Sequence, residues 1–411
     1  MSRRWFVYLS VLCSAASSAR AESPALSLSR VIELARTGAP GAMIARARAV
    51  EVRAGLVGAR RIATRNPLLE ADVGPRWSDG RSTDLQTSVS FPLDLGGRRD
   101  KRVAVVEAAI EWEQLEARSA ERTAIGTAVT AYYLALHADR RLALAEERVR
   151  LADAAEVTAR QRMRAGDIAE FEVNLARGEV ARAKSGVVAA RGEQARARAQ
   201  LAGVLGISST PVAGDLADRT LIDGTATTTA RLELRVLAQE VEVARAESSA
   251  ARAERWPSLD LRLSYEHERD ADIVLGGISV ALPVFDRGQG DQARAEARVK
   301  RAEVELAARS AIAIAEVDSA RQTYAAMIAT VQILEQEAVP LSIENETAAS
   351  ASYRAGKIDL GALLVIRREA LETRREHLDR LLDAALAAVD LWIARGAPTT
   401  PDPSSKPQET P

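Results

Sequence analysis

Few residues of this 411-residue chain are placed to do covalent chemistry. It has three histidines, His137, His267 and His377, and one cysteine, Cys13. No histidine has another within four residues, so no helical turn presents a pair of imidazoles, and no cysteine–histidine cluster exists. Carboxylates abound, but they alternate with arginines on stretches of helical period. That is the arrangement of solvated ion pairs rather than of an acid and a base. There is no glycine-rich phosphate loop and no nucleophile elbow. The expectation is a protein that is not an enzyme, with no cofactor and no tight metal site.

The elements behind these residues are of two kinds, and each occurs twice. Met163-Arg164-Ala165-Gly166-Asp167-Ile168 returns as Tyr353-Arg354-Ala355-Gly356-Lys357-Ile358, Pro67-Leu68-Leu69-Glu70 as Pro257-Ser258-Leu259-Asp260, and Phe91-Pro92-Leu93-Asp94 as Leu282-Pro283-Val284-Phe285. Leu201 to Gly206 returns as Leu391 to Gly396. A spacing of about 190 residues kept along the whole chain implies tandem duplication of one large unit. The predicted division is a first repeat over 22–205, a Gly/Thr/Ser/Asp-rich linker over 206–229, a second repeat over 230–396 and a disordered tail over 397–411.

Residues 1–21 read as a secretory signal: Arg3 and Arg4, an apolar run from Trp5 to Leu12, and the cleavage pattern Ala19-Arg20-Ala21. Lipidation of Cys13 is disfavoured by Leu12, because a small residue is needed there. Loss of Arg3, Arg4 and Arg20 with the leader takes the formal net charge from −1 to −4, which argues against nucleic acid as a partner. Aromatics are 4% of the chain, and Ala, Arg, Glu and Leu dominate, a composition of long helices with a narrow apolar seam. Beyond the leader no uncharged apolar run is long enough for a transmembrane helix, so any crossing of a bilayer must be made by strands.

Strand patterns lie at about 68–77 and 84–94, and again at about 258–267 and 273–285. In the first pair Leu69, Ala71, Val73 and Trp77 alternate with Glu70, Asp72 and Arg76, and Leu85, Val89, Phe91 and Leu93 with Asp84, Gln86, Ser88 and Ser90. In the second pair Leu259, Leu261, Leu263 and Tyr265 alternate with Asp260, Arg262, Ser264 and Glu266, followed by Ile278, Val280, Leu282 and Val284. Period two with one apolar face marks half-buried strands, each long enough to cross a bilayer when tilted. A soluble hairpin on a core is the plainer reading of each pair alone. Four strands cannot close a barrel with an open lumen, but three chains would supply twelve.

Helical period covers Leu28 to Thr37 and Ala42 to Thr64, then long stretches over 98–162 and 171–205, and again over 289–353 and 360–394. The 98–162 stretch alone would span about 95 Å at the helical rise. Gly166 and Gly356 stop the long helices, so each copy folds back as a helical hairpin. Pro340 should kink or interrupt the second long helix, and the first copy has Arg150 near that place.

The chain resembles the TolC-type outer-membrane efflux factors over essentially all of its mature length. The residues that carry the resemblance are Leu26 to Ala35, then Phe91-Pro92-Leu93-Asp94-Leu95-Gly96-Gly97-Arg98-Arg99, and its counterpart Leu282-Pro283-Val284-Phe285-Asp286-Arg287-Gly288-Gln289-Gly290. Tyr353-Arg354-Ala355-Gly356 follows Val339-Pro340 at the family's interval, although Ala39-Pro40 stands where Asn-Pro is usual. The Leu-Gly-Gly-Arg-Arg and Phe-Asp-Arg-Gly-Gln-Gly stretches look most like the CzcC-like (cobalt–zinc–cadmium) branch.

The resemblance implies a mainly α fold with a small β part. Tandem-duplicated helical hairpins form a trimeric α-barrel in the periplasm, and four strands per chain form a twelve-stranded transmembrane β-barrel in the outer membrane of a Gram-negative bacterium. The implied partners are two further copies in a homotrimer, outer-membrane lipid, a periplasmic adaptor (membrane fusion) protein and an inner-membrane resistance-nodulation-division pump. The implied cargo is heavy-metal cations, with multidrug or protein export as the alternative. It further implies adaptor contact at the tips, through Arg164, Gly166, Arg354 and Gly356, and an acidic gate. Glu172 matches a family acidic position. The second-copy equivalents are Ala362 and Val365, so Asp359, Asp167 and Glu170 are the substitutes. Pro340 is expected to mark where the second hairpin bends on opening. A periplasmic coiled-coil adaptor or scaffold is the alternative of another class, but it leaves two strand pairs of bilayer length unexplained.

Overall fold

The computed structural model describes residues 25–63, 65–77, 81–94, 96–208, 211–218, 231–268 and 271–396. The expected signal over 1–21 with Cys13, the turn at Ser78–Gly80, the tail over 397–411 and much of the 206–229 linker lie outside the described residues.

The chain opens with α1 (Leu28–Gly38), whose N-terminus is capped by the Ser27 hydroxyl accepting from the Arg30 N–H, and α2 (Pro40–Ala59), which starts on a proline. The expected helix over Ala42 to Thr64 ends at Ala59 instead. Gly55 and Gly58 weaken its last turns, and the Arg60 N–H turns back onto Leu56 and Gly58 carbonyls. Two strands follow, β1 (Leu68–Trp77) and β2 (Arg81–Leu93), then α3 (Arg98–Arg164) and α4 (Glu170–Leu205). At 67 residues α3 is about 100 Å long.

The second copy begins with α5 (Leu232–Ala253), a helix that the sequence reading left out although it is the counterpart of α2. Next come β3 (Leu259–Glu268), β4 (Ala271–Val280) and α6 (Gln289–Ile333). A π-helical turn over Leu334–Ala338 leads into α7 (Val339–Arg354), and α8 (Leu360–Arg395) closes the fold. The helix predicted over 289–353, with Pro340 to kink or interrupt it, is interrupted by this π turn just before Pro340. Pro340 has no N–H, and its ring would clash with the carbonyl four residues back. The wider π turn just before it relieves that clash.

The four strands make one antiparallel sheet in the order β1-β2-β3-β4. The central β2–β3 pair joins the two copies, and β1 and β4 each leave one edge unpaired within the chain. The expected strand over 273–285 ends five residues early, at Val280. Pro283 cannot donate to a ladder, and β4 has a neighbour on one side only. β2 carries Pro92 at the equivalent place but runs to Leu93, because β3 pairs with it there.

The helices form a layer one helix thick. Toward the sheet the neighbours run α2-α3-α5-α6, and toward the hairpin tips α4-α3-α8-α7. The main core sits midway, where Val31, Ile125, Val129, Leu136, Leu201, Val389 and Trp392 pack together. Gly126 is the close-approach point: a Cβ there would lie 2.9 Å from Ile393 Cδ1. Tyr132 and Tyr133, packed edge to face, donate to the Ala213 and Asp218 carbonyls at 2.8 and 3.0 Å and pin the segment after α4. That segment also bridges Leu26 through Val212. Burial, reinforced by Asp218 and Asp215, pushes the Tyr132 hydroxyl up to about 12.

Candidate functional site

The two hairpin tips share one construction. Gly166 and Gly356 hold φ of +82° and +72°, a region costly to residues with a Cβ. At the first tip the Gly166 N–H donates to the Met163 carbonyl and the Asp167 N–H to Arg162. At the second, the Gly356 N–H donates to Tyr353 and the Lys357 N–H to Ser352. Both are Schellman turns, so the repeated Arg-Ala-Gly motif is the chemistry of a helix stop. Arg164 and Arg354 stand exposed beside them, Arg354 with Nε on the Ser350 carbonyl at 3.3 Å.

The four candidate acids follow these turns. Asp167 is exposed, and Glu170 and Glu172 occupy the first turn of α4, where carboxylates suit the helix dipole. Glu172 is half-buried. Asp359 is the N-cap of α8 and accepts from the Ala362 N–H at 2.7 Å.

The structure also brings the tips together through residues that the sequence reading missed. Arg162, in the last turn of α3, places its guanidinium 5.0 Å from the centre of the Tyr353 ring and reaches the Tyr353 carbonyl. Tyr353 is buried with Ala155, Ala159, Val173, Ala349, Leu360 and Leu363 in a small core between the hairpins. Burial raises its hydroxyl pKa, with Arg162 opposing and the Glu172 charge adding to the rise. Further along α8, Arg367 Nη1 donates to the Leu151 carbonyl at 2.8 Å. Arg374 bridges Glu147 of α3 at 2.7 Å and Glu346 of α7. These contacts clasp the second hairpin to the first. In the sequence Arg367 and Arg374 are seven apart, two turns along one helix face, and Tyr353 stands where the first copy has Met163.

The sheet has two different faces. Across all four strands one face carries Leu69, Val73, Trp77, Leu85, Val89, Phe91, Leu261, Leu263, Tyr265, Val274, Ile278 and Val280. Among the described residues no helix packs closely on the sheet, and these side chains are largely exposed: Trp77 by 77%, Val73 by 68% and Val274 by 67%. The other face carries Glu70, Asp72, Arg76, Asp84, Gln86, Arg262 and Glu266 in a polar ladder. Arg76 bridges Asp84 at 2.7 Å and Glu268 at 2.8 Å, and Gln86 donates to Glu266 at 2.9 Å.

The two strand-to-helix junctions account for the sequence stretches that suggested a branch. Gly97 and Gly288 begin α3 and α6, each with φ of +70°. Gly96 has no room for a side chain, since a Cβ would come within 2.3 Å of Trp256. Arg98 donates to the Glu254 carbonyl at 3.1 Å, and Arg102 bridges Asp94 at 2.6 Å. In the second copy the Asp286 carboxylate accepts from the Gly288 N–H at 2.9 Å, and Gln289 donates to the Phe285 carbonyl at 3.1 Å. These motifs build the corner between sheet and helices. Among the described residues no group of acids, histidines and cysteines could hold a metal ion.

Comparison with known proteins follows the same two-copy division. The outer membrane efflux protein family matches residues 45–207 and 227–397. No curated protein matches the chain. Among solved structures the chain is similar to CusC, studied for the conformational changes that accompany folding and transmembrane channel formation. The identity is 19%, over 92% of this chain and 94% of that one, with a TM-score of 0.75. It is similar to the outer-membrane channel OprN at 20% identity over 91% of each chain, with a TM-score of 0.73. It is also similar to the open state of the Neisseria gonorrhoeae MtrE outer membrane channel, at 18% identity over 90% of this chain and 89% of that one, with a TM-score of 0.73. At these identities the likeness shows the fold.

Proposed function

The chain belongs to the outer membrane efflux protein family, and from that premise we propose that it is the exit duct of a tripartite export machine. Three copies close a twelve-stranded β-barrel in the outer membrane of a Gram-negative cell and a helical tunnel below it in the periplasm. A periplasmic adaptor ties that tunnel to an inner-membrane resistance-nodulation-division pump. The duct uses no energy and makes no bonds, and the cargo is heavy-metal cations.

One observation carries this reading: the two-faced sheet with two unpaired edges. An apolar face left bare in water is unfavourable by about 25 cal/mol per Å², and unpaired strand edges invite other strands. Lipid against the apolar face, water against the polar face and a neighbouring strand on each edge satisfy both demands. The helical layer supports the same assembly. Its outer members carry exposed apolar side chains with nothing on them in the single chain: Met43, Ile44 and Val50 of α2, Ile312 and Ile314 of α6, Phe171 of α4 and Leu341 of α7.

In this reading Arg164, Gly166, Arg354 and Gly356 form the rim that meets the adaptor, and Glu172, Asp167, Glu170 and Asp359 stand near the mouth. Three copies of such acids would attract cations and repel anions. The mouth opens when the second hairpin leaves the first, bending at Pro340 and breaking the Arg162–Tyr353, Arg367–Leu151 and Arg374–Glu147 contacts. The cation cargo is supported by these acids and by the sequence resemblance to the cobalt–zinc–cadmium branch.

Two measurements test the proposal. Purified protein in planar bilayers should give cation-selective conductance steps, and its failure to conduct would overturn the duct. A deletion strain should become sensitive to zinc, cobalt, cadmium, copper or silver. Sensitivity to hydrophobic drugs alone would move the cargo to multidrug export.

A further inference from the structure

The two strand hairpins of the chain are copies in register as well as in sequence. Leu69 pairs with Val89 in the first, and Leu259 with Val280 in the second. Nine of the ten pairs of the first hairpin, from Leu69–Val89 to Trp77–Arg81, map onto pairs of the second when β1 is shifted by 190 residues and β2 by 191. The same shifts carry Pro92 onto Pro283, and Gly97 onto Gly288 at the head of the long helix. The contact between the first hairpin and the second, β2 against β3, is therefore the one place where the chain displays how two such hairpins join. There Val89 faces Leu263, Phe91 faces Leu261 and Leu93 faces Leu259.

We propose that β4 of one chain joins β1 of a second copy in the register that β2 and β3 use, with Val280 opposite the second copy's Val73, Leu282 opposite Ala71 and Val284 opposite Leu69. This rests on the trimeric duct proposed above and specifies its subunit junction.

Three observations favour this register. It puts apolar opposite apolar on the lipid face, and Ser279 opposite Gly74 and Ala281 opposite Asp72 on the other, whereas a slip by one residue would turn the second copy's whole apolar set toward water. It lengthens β4 to Val284, the equivalent of Leu93 where β2 ends. It also gives a partner to Leu282 and Val284, which are 75% and 61% exposed in the single chain. Pro283 then lies opposite Glu70, as Pro92 lies opposite Asp260.

Paired cysteines in the full-length protein, expressed in cells and extracted in detergent, test this. Val73→Cys with Val280→Cys probes the lipid face, and Gly74→Cys with Ser279→Cys the lumen face. Both faces are needed because close and wide pairs alternate along an antiparallel ladder. Displaced controls combine Val280→Cys with Ala71→Cys or with Pro75→Cys, and the single-cysteine variants set the background. At least one of the two predicted pairs should give a disulfide-linked trimer on non-reducing gels. The displaced pairs should give about tenfold less, because diagonal neighbours sit beyond ordinary disulfide reach. Stronger cross-linking of a displaced pair in an intact trimer would overturn the register and leave the duct standing. Light scattering that finds the protein without the introduced cysteines monomeric in detergent would overturn the duct itself, and the register with it.

Discussion

Arg374 is the most exacting single residue in the clasp between the hairpins, because it neutralises Glu346, a carboxylate only 9% exposed. Arg374→Ala leaves that charge buried and unpaired, a loss of about 3–5 kcal/mol. Thermal unfolding of the purified variant should show it, with increased leak of large antibiotics into cells. Adding Glu346→Gln should restore part of both, since the orphaned charge is then gone. Gly356→Ala should cost about 1–2 kcal/mol from its left-handed backbone alone, measured the same way. Glu316 sets a pH dependence. Burial pushes its carboxyl up, but hydrogen bonds from Arg231 and Arg309 outweigh that and hold it below the ordinary 4.5. Its contribution is present in full above 4.5 and is lost as pH falls through the lower folded value. Glu316→Gln should therefore flatten the acid side of the stability profile and weaken the protein at neutral pH, where Arg231, 4% exposed, would lose a carboxylate. At this scale the sequence was half legible. The glycine stops and the acids near them could be located from types and spacing. The clasp could not, because Arg162, Tyr353, Arg367 and Arg374 meet only after two hairpins have folded side by side, and an arginine on a helix face looks alike whether it faces water or a buried glutamate.

The π turn before Pro340 makes the second long helix differ from the first, which runs unbroken through α3. In the proposed duct this bend tucks the second tip against α3. Pro340→Ala should straighten the segment into ordinary α-helix and raise closed-state leak to large antibiotics. Unchanged leak and transport would remove Pro340 from the mechanism. Strand positions were readable because alternation has period two and the turn residues punctuate it. The end of β4 was not: the pattern runs on through Leu282 and Val284, but pairing needs a neighbour that a single chain does not supply. Helix α5 is hard to see in the sequence because the Gly/Thr/Ser-rich run before it resembles linker. Its relation to α2 follows only once the copies are aligned.

One chain is an unfinished object: an open sheet bare on both faces and a helical layer one helix thick. Duplication explains why so much was visible in the sequence, since each motif occurs twice and confirms its own register. The stretches closest to one branch of the family turn out to build the sheet-to-helix corners, through Gly96 against Trp256 and Asp286 capping Gly288. The central claim, that each chain supplies a third of a closed β-cylinder, is tested most directly by light scattering on protein extracted from membranes. The account predicts that detergent is required for extraction and that the particle, after subtraction of detergent, has the mass of three chains. A monomer that dissolves in buffer without detergent would contradict it.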